Sequence, residues 1–340
     1  MNTYFLGIDI AKASFDVALQ LADGKVAGSG HFSNDKPGFA ALRKWLKGLK
    51  ATPHNNNVHA CMEATGRYGL ALAGYLHAAG WTVSIVNPQR ISAYGASKLR
   101  RNKTDPLDAQ LIADFCATQK PQPWTPPSAA QRRLQELGRF RETLIEDRQR
   151  AANRLAAGVL APEVRKAIKR QLALFDEQLQ TVEGELKACA NQDPDLKHKV
   201  ELIDSITGFA ATTAILFAAE LPPIDQFENA NQVAAYIGVV PSTKVSGTSV
   251  RKRARMSKLG NGHLRAALYF PALTAWRCDP TINAYAQRLL DAGKPKSTVR
   301  GAIMHKLVRY VYAVLKHDTP YSSDFSAASA PAGASAASGA

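Results

Sequence analysis

The sequence predicts an α/β domain at the N-terminus, two long central helices and a mostly helical C-terminal domain. Strand-like runs alternate with helical patterns over residues 1–118, which is typical of a mixed α/β fold. Prolines then crowd residues 120–128, so no helix can cross that segment. Beyond it, apolar residues recur at helical spacing among charged ones. The expected divisions are residues 1–125, 126–200, 201–321 and a disordered tail of small residues over 322–340.

Segments of the N-terminal domain show distinct patterns. The apolar runs 4–10 and 58–62 predict buried strands. Residues 15–21 alternate in polarity and then meet Asp23-Gly24, which indicates a hairpin. Helical patterns occupy 39–49 and 70–79, and a further strand over 81–86 stops before Asn87-Pro88.

Two amphipathic stretches, within 129–155 and 164–190, predict the central helices. Their polar composition is typical of helices that join domains, bind nucleic acid or mediate dimers, and an antiparallel hairpin is the expected arrangement.

The charge balance points to a polyanionic partner. The formal net charge is +15 in 340 residues, and nucleic acid is the usual partner of so basic a protein, with an anionic membrane surface as the weaker alternative. No apolar run reaches the length of a transmembrane helix, and we see no signal peptide. The four cysteines form no CxxC pair. They fit reduced thiols in a cytoplasmic protein near the nucleoid, and neither a zinc site nor a disulfide framework.

Four acidic residues stand where elements are predicted to begin or end: Asp9, Glu63, Asp105 and Asp108. Asp9 interrupts a buried strand, where a charge is costly unless it is paired or bound to a metal. Glu63 ends a second strand, and the other two acids would share one face of a helix. Such oxygen ligands suit one or two Mg²⁺ ions, which can stabilise both oxygens exchanged in phosphoryl transfer.

Each acid also has an ordinary structural explanation. Asp105 and Asp108 could cap a helix that has Pro106 in its first turn. Asp9 could belong to a buried ion pair, and Glu63 could be a solvated acid at a strand end. Only the four together favour a metal site.

A second group of candidates lies in the C-terminal domain. Residues 245–250 are small and polar, and a dense basic run follows them. A hydroxyl beside so many cations suits attack on a phosphodiester, because the cations bind phosphate and stabilise developing charge. Ser246 is the first candidate nucleophile and Ser249 the competing one. The basic run could also be an ordinary solvated face. A helix is expected over 263–275, with Arg265 at its start.

Several short motifs resemble one known family. Residues 7–12 (GIDIAK), 63–66 (EATG) and 102–109 (NKTDPLDA) resemble the N-terminal motifs of DEDD insertion-sequence transposases that act with a bridge RNA. Residues 238–241 (GVVP) and 246–251 (SGTSVR) resemble the transposase domain of that family, as do 256–258 (MSK) and 265–269 (RAALY). The motifs occur in family order from about residue 4 to about residue 320, and the ordered set is more specific than any single motif.

The resemblance implies a RuvC-like, RNase H-like first domain, a central coiled coil and a C-terminal domain that carries a serine. It implies that Asp9, Glu63, Asp105 and Asp108 hold Mg²⁺, with Mn²⁺ as a possible substitute. Ser246 would form a covalent phosphoserine link to DNA. A homodimer or tetramer would assemble the site, and a bridge RNA would pair with donor and target DNA. The expected nucleic-acid contacts are Lys103, Arg251, Lys252, Arg253, Arg255, Lys258 and Arg265.

Two other functions fit the same residues less fully. In a hydrolytic nuclease or junction resolvase, the acids would activate water and Ser246 would be dispensable. In a non-catalytic nucleic-acid-binding protein, the acids would be structural. Loss of a covalent DNA adduct in Ser246→Ala separates the recombinase from the nuclease.

Overall fold

The computed structural model describes residues 3–51, 58–64, 66, 68–98, 105–158, 160–242, 245–246, 250–251 and 255–322. For residues 105, 106, 242, 245, 246, 250, 251 and 255 it describes the backbone alone. The chain forms two compact units, Met1–Pro126 and Pro127–Ala340. The predicted boundary at residue 200 stays a prediction, and nearly all of the predicted tail lies outside the described residues.

A five-stranded sheet forms the centre of the first unit, in the order β3-β2-β1-β4-β5. β1 pairs antiparallel with β2, and β2 with β3, whereas β4 is parallel to both β1 and β5. The predicted hairpin is confirmed, because Gly24 has φ +88° and the Lys25 amide donates to the Asp23 carboxylate at 3.0 Å. The strands are β1 (Tyr4–Ile10), β2 (Ser14–Leu21), β3 (Val26–Ser33), β4 (Val58–Glu63) and β5 (Thr82–Val86).

Helices cover both faces of this sheet, and the predicted mixed α/β fold is confirmed. One core lies between the sheet and the first two helices, and a smaller core lies on the other face with the last two. The helices are α1 (Lys36–Gly48), α2 (Leu70–Ala78), α3 (Pro88–Ser97) and α4 (Asp105–Gln119). Pro88, read from the sequence only as a strand stop, also begins α3, which Asn87 caps by accepting from the Gln89 amide at 2.9 Å.

The proline-rich segment after α4 has no helix, as predicted, and it is attached to β5. The Trp124 amide donates to the Val83 carbonyl at 2.6 Å. The buried Ser84 hydroxyl lies 2.8 Å from the Gln122 carbonyl oxygen. These bonds satisfy backbone groups that the prolines cannot pair among themselves.

Two long antiparallel helices open the second unit: α5 (Ala129–Ala156) and α6 (Pro162–Gln192). Arg133 pairs with Glu185, and Arg148 pairs with Asp176, each at 2.6 Å. Apolar residues of both helices, Leu134 and Leu186 among them, form the buried seam. The two predicted helices are confirmed, and their supercoiling as a coiled coil stays a prediction.

The rest of the second unit is mostly helical, and α13 runs through its core. Leu307 and Val311 of that helix are fully buried. The elements are α7 (Pro194–Asp204), α8 (Ala211–Glu220), α9 (Ala230–Ile237), β6 (Pro241–Ser242), β7 (Val245–Ser246), β8 (Val250–Arg251), β9 (Arg255–Met256), α10 (Gly262–Ala267), α11 (Tyr269–Cys278), α12 (Pro280–Asp291) and α13 (Lys296–His317).

The expectation of one helix over 263–275 is wrong. The structure divides this segment at Leu268 into α10 and α11. Pro271 has no backbone N–H to donate to the preceding turn, and its ring crowds that turn. Tyr269 and Phe270, the first two residues of α11, are exposed beside this break.

All four cysteines are free thiols, three of them buried. A hydrogen bond with Cys61, together with burial, raises the pKa of the Cys116 thiol. Within the described ranges, we find no helix with the length and hydropathy needed to cross a bilayer.

Candidate active site

Asp9 and Glu63 stand side by side at the carboxyl ends of two parallel strands. Ile8 pairs with Met62 in the ladder between β1 and β4, so the next residues along each strand are neighbours at about 4.8 Å. Ile8 and Met62 point into the core under α1 and α2. Because side chains alternate along a strand, Asp9 and Glu63 point to the opposite face, where both are half-buried.

Helix α4 covers that opposite face, and three contacts fix its direction. The Cys116 thiol donates to the His59 carbonyl at 3.5 Å, and His59 pairs with Phe5 near the start of β1. Farther along β1, a Cβ on Gly7 would overlap the backbone of Ala109 and Ala113. Helix α4 therefore runs antiparallel to β1, and its first turn lies toward Asp9.

This direction brings the second pair of predicted acids to the first pair. From Gly7 to Asp9 the strand advances about 6.6 Å, and from Ala109 back to Asp105 the helix advances about 6 Å. Asp108 is half-buried and immediately precedes the contact at Ala109. Asp105 is the first residue of α4, and its side chain lies outside the described atoms.

Two polar residues that sequence reasoning did not select extend the same row across the sheet. Asp16 of β2 lies directly opposite Asp9, and His31 of β3 lies opposite Asp16. The His31 ring nitrogen Nδ1 is 3.1 Å from the Asp16 carboxylate. Like charges opposite one another cost stability, so a cation near Asp9 and Asp16 is favoured. The polar face of β2 was visible in the sequence, but its register against β1 was not.

The donor chemistry of this row is that of a hard cation site. Carboxylate oxygens on adjacent strand ends suit Mg²⁺ or Mn²⁺ and do not suit a soft metal. Among the side chains that the structure describes, a set that omits Asp105, no three metal-ligating groups converge on one point.

The candidate nucleophile Ser246 lies in an antiparallel ribbon. Pro241 pairs with Met256, and Ser246 pairs with Val250. These two short ladders are nested, with residues 247–249 between the inner strands. We call residues 241–256 the serine ribbon. Ser246 belongs to the inner of these two ladders.

The base of the serine ribbon is fixed by close backbone contacts. The Ser257 amide donates to the Val240 carbonyl at 2.9 Å. Gly238 and Gly260 both have positive φ, and Gly260 packs against the backbone of Tyr236 so closely that a Cβ would overlap it. Only glycine tolerates both the conformation and the approach.

Arg265 supports this base from α10. Its guanidinium donates to the Ile237 carbonyl at 3.0 Å and to the Lys258 carbonyl at 3.2 Å. A cation at the C-terminus of α9 also complements the helix dipole. This structural role stands beside the predicted contact of Arg265 with nucleic acid, which stays a prediction.

The other predicted contacts are described unevenly. Lys258 is exposed at the base of the ribbon. Arg251 and Arg255 are placed only by their backbone, in β8 and β9. Lys103, Lys252 and Arg253, together with the competing Ser249, lie outside the described residues.

A polar brace that the sequence did not reveal joins α10 to the long helix α5. The His263 ring nitrogen Nδ1 lies 2.5 Å from the Glu142 carboxylate. The hydrogen bond with Glu142 raises the pKa of His263. Beside this pair, the Glu220 carboxylate binds Arg139 at 3.1 Å and accepts from Asn261 at 3.2 Å. The brace holds the segment that directly follows the serine ribbon.

We call Asp9, Asp16, Glu63, Asp105 and Asp108 the acidic row. It lies in the first unit, and the serine ribbon lies in the second. Comparison with known proteins gives the class. A transposase model of the DEDD IS110 type matches residues 6–161, and a model of the IS116/IS110/IS902 transposase family matches residues 200–287. The chain belongs to this transposase family, a class of DNA transposases and recombinases, as the motifs predicted.

The similar proteins cover almost the whole chain. The pilin gene-inverting protein of Moraxella bovis is 30% identical over 323 residues, which cover 94% of this chain and 98% of that protein. The corresponding protein of Moraxella lacunata is 29% identical over the same shares of the two chains. The transposase for insertion sequence element IS1328 of Yersinia enterocolitica is 24% identical over 94% of this chain and 99% of that protein.

Proposed function

We propose that this protein cuts and joins DNA at the ends of an insertion sequence, or at an invertible segment, through a covalent phosphoserine on Ser246. The observation that carries the proposal is the direction of α4, whose acidic first turn lies toward Asp9 and Glu63 at the strand ends. The sheet order and the parallel strands β4 and β5 support an RNase H-like, RuvC-like reading of the first unit.

Asp9, Glu63, Asp105 and Asp108 would hold one or two Mg²⁺ ions, with Mn²⁺ as a substitute. Bound there, the ions would stabilise the charge that develops on phosphate oxygens. The packing of Gly7 against α4 fixes the spacing of these carboxylates, because any longer side chain at that position would move the helix away.

Ser246 would act from the serine ribbon. Its Oγ forms a bond to phosphorus while the bond from phosphorus to one DNA oxygen breaks, and the freed DNA hydroxyl takes up a proton. A hydroxyl of another strand can later attack the phosphoserine and release the serine. The phosphodiester energy is kept, so strands are exchanged without ATP. Arg251, Arg255 and Lys258 would bind the phosphates around this reaction.

A complete site requires the acidic row of one unit and the serine of the other, and we propose that they come from different protomers of a dimer or tetramer. The exposed apolar residues Phe140 and Leu174 of α5 and α6 support such association. A bridge RNA would pair with donor and target DNA and supply the sequence specificity. The high positive charge of the chain supports binding of both nucleic acids.

The test is a covalent-adduct assay with full-length protein, its flanking RNA, Mg²⁺ and labelled DNA, resolved on a denaturing gel. We expect a protein–DNA adduct in wild type and none in Ser246→Ala or Asp9→Ala. Ser249→Ala is the matched serine control, and Asp23→Ala, in an exposed turn, is the matched acid control; both should keep the adduct.

Three results would contradict the proposal. Cleaved DNA without an adduct, still formed by Ser246→Ala, would show a hydrolytic nuclease. An adduct lost in Ser249→Ala and kept in Ser246→Ala would move the nucleophile to the competing serine. Unchanged DNA cleavage by Asp9→Ala would show that the acidic row has a structural role and no catalytic one.

A further inference from the structure

The corner between α10 and α11 presents two aromatic rings to solvent. Phe270 is 74% exposed, the highest value for any large apolar side chain in the described part of the protein, and Tyr269 is 39% exposed. Their neighbours Leu268 and Pro271 are buried. The corner is therefore anchored on both sides, and its rings are held outward by the fold.

An arginine completes this group. The Arg300 guanidinium of α13 lies 4.7 Å from the centre of the Tyr269 ring and 3.3 Å from its hydroxyl oxygen. The Phe270 ring meets Tyr269 edge-on, with 5.4 Å between centres and an interplanar angle of 85°. Contact of this kind restricts the rotamers of all three side chains. We call Tyr269, Phe270 and Arg300 the aromatic corner.

The aromatic corner adjoins the serine ribbon within the same unit. Gly301 follows Arg300 in α13, and a Cβ built on it would lie 3.2 Å from the Cε atom of Met256. Met256 belongs to β9, the last strand of the ribbon. A strand of DNA bound along the ribbon would thus reach the corner with little extra length.

The two segments that carry the aromatic corner have an excess of positive charge, which favours an anion. No Asp or Glu occurs in the sequence between Glu228 and Asp279, or within α13. Cations are frequent in both segments: Lys244, Arg251, Lys252, Arg253, Arg255, Lys258, Arg265 and Arg277 in the first, and Lys296, Arg300, Lys306, Arg309 and Lys316 in the second. Exposed rings among cations match the face of a nucleobase and its neighbouring phosphates.

We propose that the aromatic corner stacks on an unpaired base of the DNA strand that lies along the serine ribbon. The inference rests on the proposed function, because strand exchange at Ser246 requires bases near the cut to leave their duplex. Unstacking a base costs a few kcal/mol, and stacking on Phe270 offsets this cost without reading the base identity. A face that docks a protein would present a wide apolar patch, whereas this one presents isolated rings and cations.

The experiment measures binding of full-length protein to a fluorescein-labelled single-stranded DNA of about 16 nucleotides. A duplex and an RNA of the same sequence are measured beside it, all without divalent metal. We expect Phe270→Ala to weaken single-strand binding about tenfold and to leave duplex binding within about twofold. Phe270→Leu should lose nearly as much, because leucine has no π face. Phe270→Trp should bind as tightly as wild type.

Val164→Ala is the control, since Val164 is an exposed apolar residue of α6 in the same unit with no part in the proposed site, and it should bind like wild type. Full single-strand binding by Phe270→Ala would overturn the proposal. Full single-strand binding by Phe270→Leu would also overturn it. The same holds if Phe270→Ala loses as much affinity for the duplex as for the single strand, or loses affinity for the RNA alone. A changed oligomeric state of Phe270→Ala in light scattering, with DNA binding intact, would instead identify a protein contact.

The binding measurement uses uncut DNA and can be repeated in a Ser246→Ala background with the same expected values. Failure of the serine chemistry therefore leaves the stacking result unchanged. Conversely, if Phe270→Ala binds single-stranded DNA like wild type, the result of the adduct assay is unaffected.

Discussion

The acidic row and the serine ribbon are held in opposite ways. The carboxylates stand on a five-stranded sheet against which α4 packs backbone to backbone at Gly7. The serine stands in a ribbon whose described strands are two residues long, and the described contacts that hold it lie at its base. Metal ligands need a fixed spacing, so rigid elements carry them. Under the proposed function, Ser246 would meet DNA from the less extensively paired ribbon.

The acidic row and the serine ribbon also differ in the sign of their charge. The acidic row gathers carboxylates on three strands and at the start of α4, whereas the ribbon belongs to a stretch without any acid between Glu228 and Asp279. One region can concentrate cations and the other can bind phosphates. Under the proposed function, each region would supply one of these two requirements of phosphoryl transfer.

The variant Gly7→Ala is expected to have the largest effect, because it tests whether the close packing of α4 on the sheet is needed for the acidic row. The new Cβ would overlap the backbone of Ala109 and Ala113, and neither can move without displacing α4. We expect a loss of about 3 kcal/mol or more in the free energy of unfolding of the first unit, with loss of the DNA adduct. Tryptophan fluorescence in urea follows this unit, because Trp45, Trp81 and Trp124 all lie in it.

Gly74→Ala is the matched glycine control. Gly74 lies inside α2 with no atom within 4 Å of a built Cβ, so alanine should stabilise the unit by up to about 1 kcal/mol. A stable Gly7→Ala variant with normal adduct formation would mean that the position of α4 does not matter to the acids.

Arg265→Ala tests the base of the serine ribbon. It removes the donor to the Ile237 and Lys258 carbonyls, and we expect a loss of about 1–2 kcal/mol in the second unit. Far-UV circular dichroism in urea follows this mostly helical unit. Arg277→Ala, an exposed arginine near the end of α11, should change stability by less than about 0.5 kcal/mol.

The outcome separates two roles of Arg265. Reduced stability with weakened DNA binding indicates that the ribbon is positioned by this side chain. Unchanged stability with weakened DNA binding would make Arg265 a direct phosphate contact, as the sequence alone suggested.

The smallest expected effect concerns the brace between His263 and Glu142. The pKa of His263 is raised from 6.5, first by its hydrogen bond with Glu142. Its stabilisation is therefore complete below pH 6.5 and is lost as the pH rises through the folded-state pKa. Because the pair is half-exposed, we expect about 0.5 kcal/mol.

The measurement compares urea midpoints of wild type and Glu142→Gln from pH 5.5 to 8.5. Burial lowers the pKa values of His59 and His305, and these residues act in the opposite sense, with stability lost as the pH falls below 6.5. The difference in urea midpoint between wild type and Glu142→Gln therefore isolates the contribution of the brace. A difference that does not change with pH would show that Glu142 contributes no charge interaction.

The sequence predicted most elements of the first unit because its strands and helices differ in period. The run 4–10 could only be a buried strand, and Asp23-Gly24 could only be a tight turn. It failed where one residue serves two elements, as Pro88 does by ending a strand and beginning α3. It also failed at Leu268, where a continuous apolar pattern concealed the break before Pro271.

For the candidate site, the sequence by itself determined the residue types: four acids at element ends, a serine beside a basic run, and the motifs that define the family. Only the tertiary structure decided which of them meet. The parallel register of β1 and β4 sets Asp9 beside Glu63, and the backbone contact at Gly7 sets the direction of α4. Asp16, His31 and the aromatic corner became visible in the same way, because pairing between strands and packing between helices are long-range and leave no period in the chain.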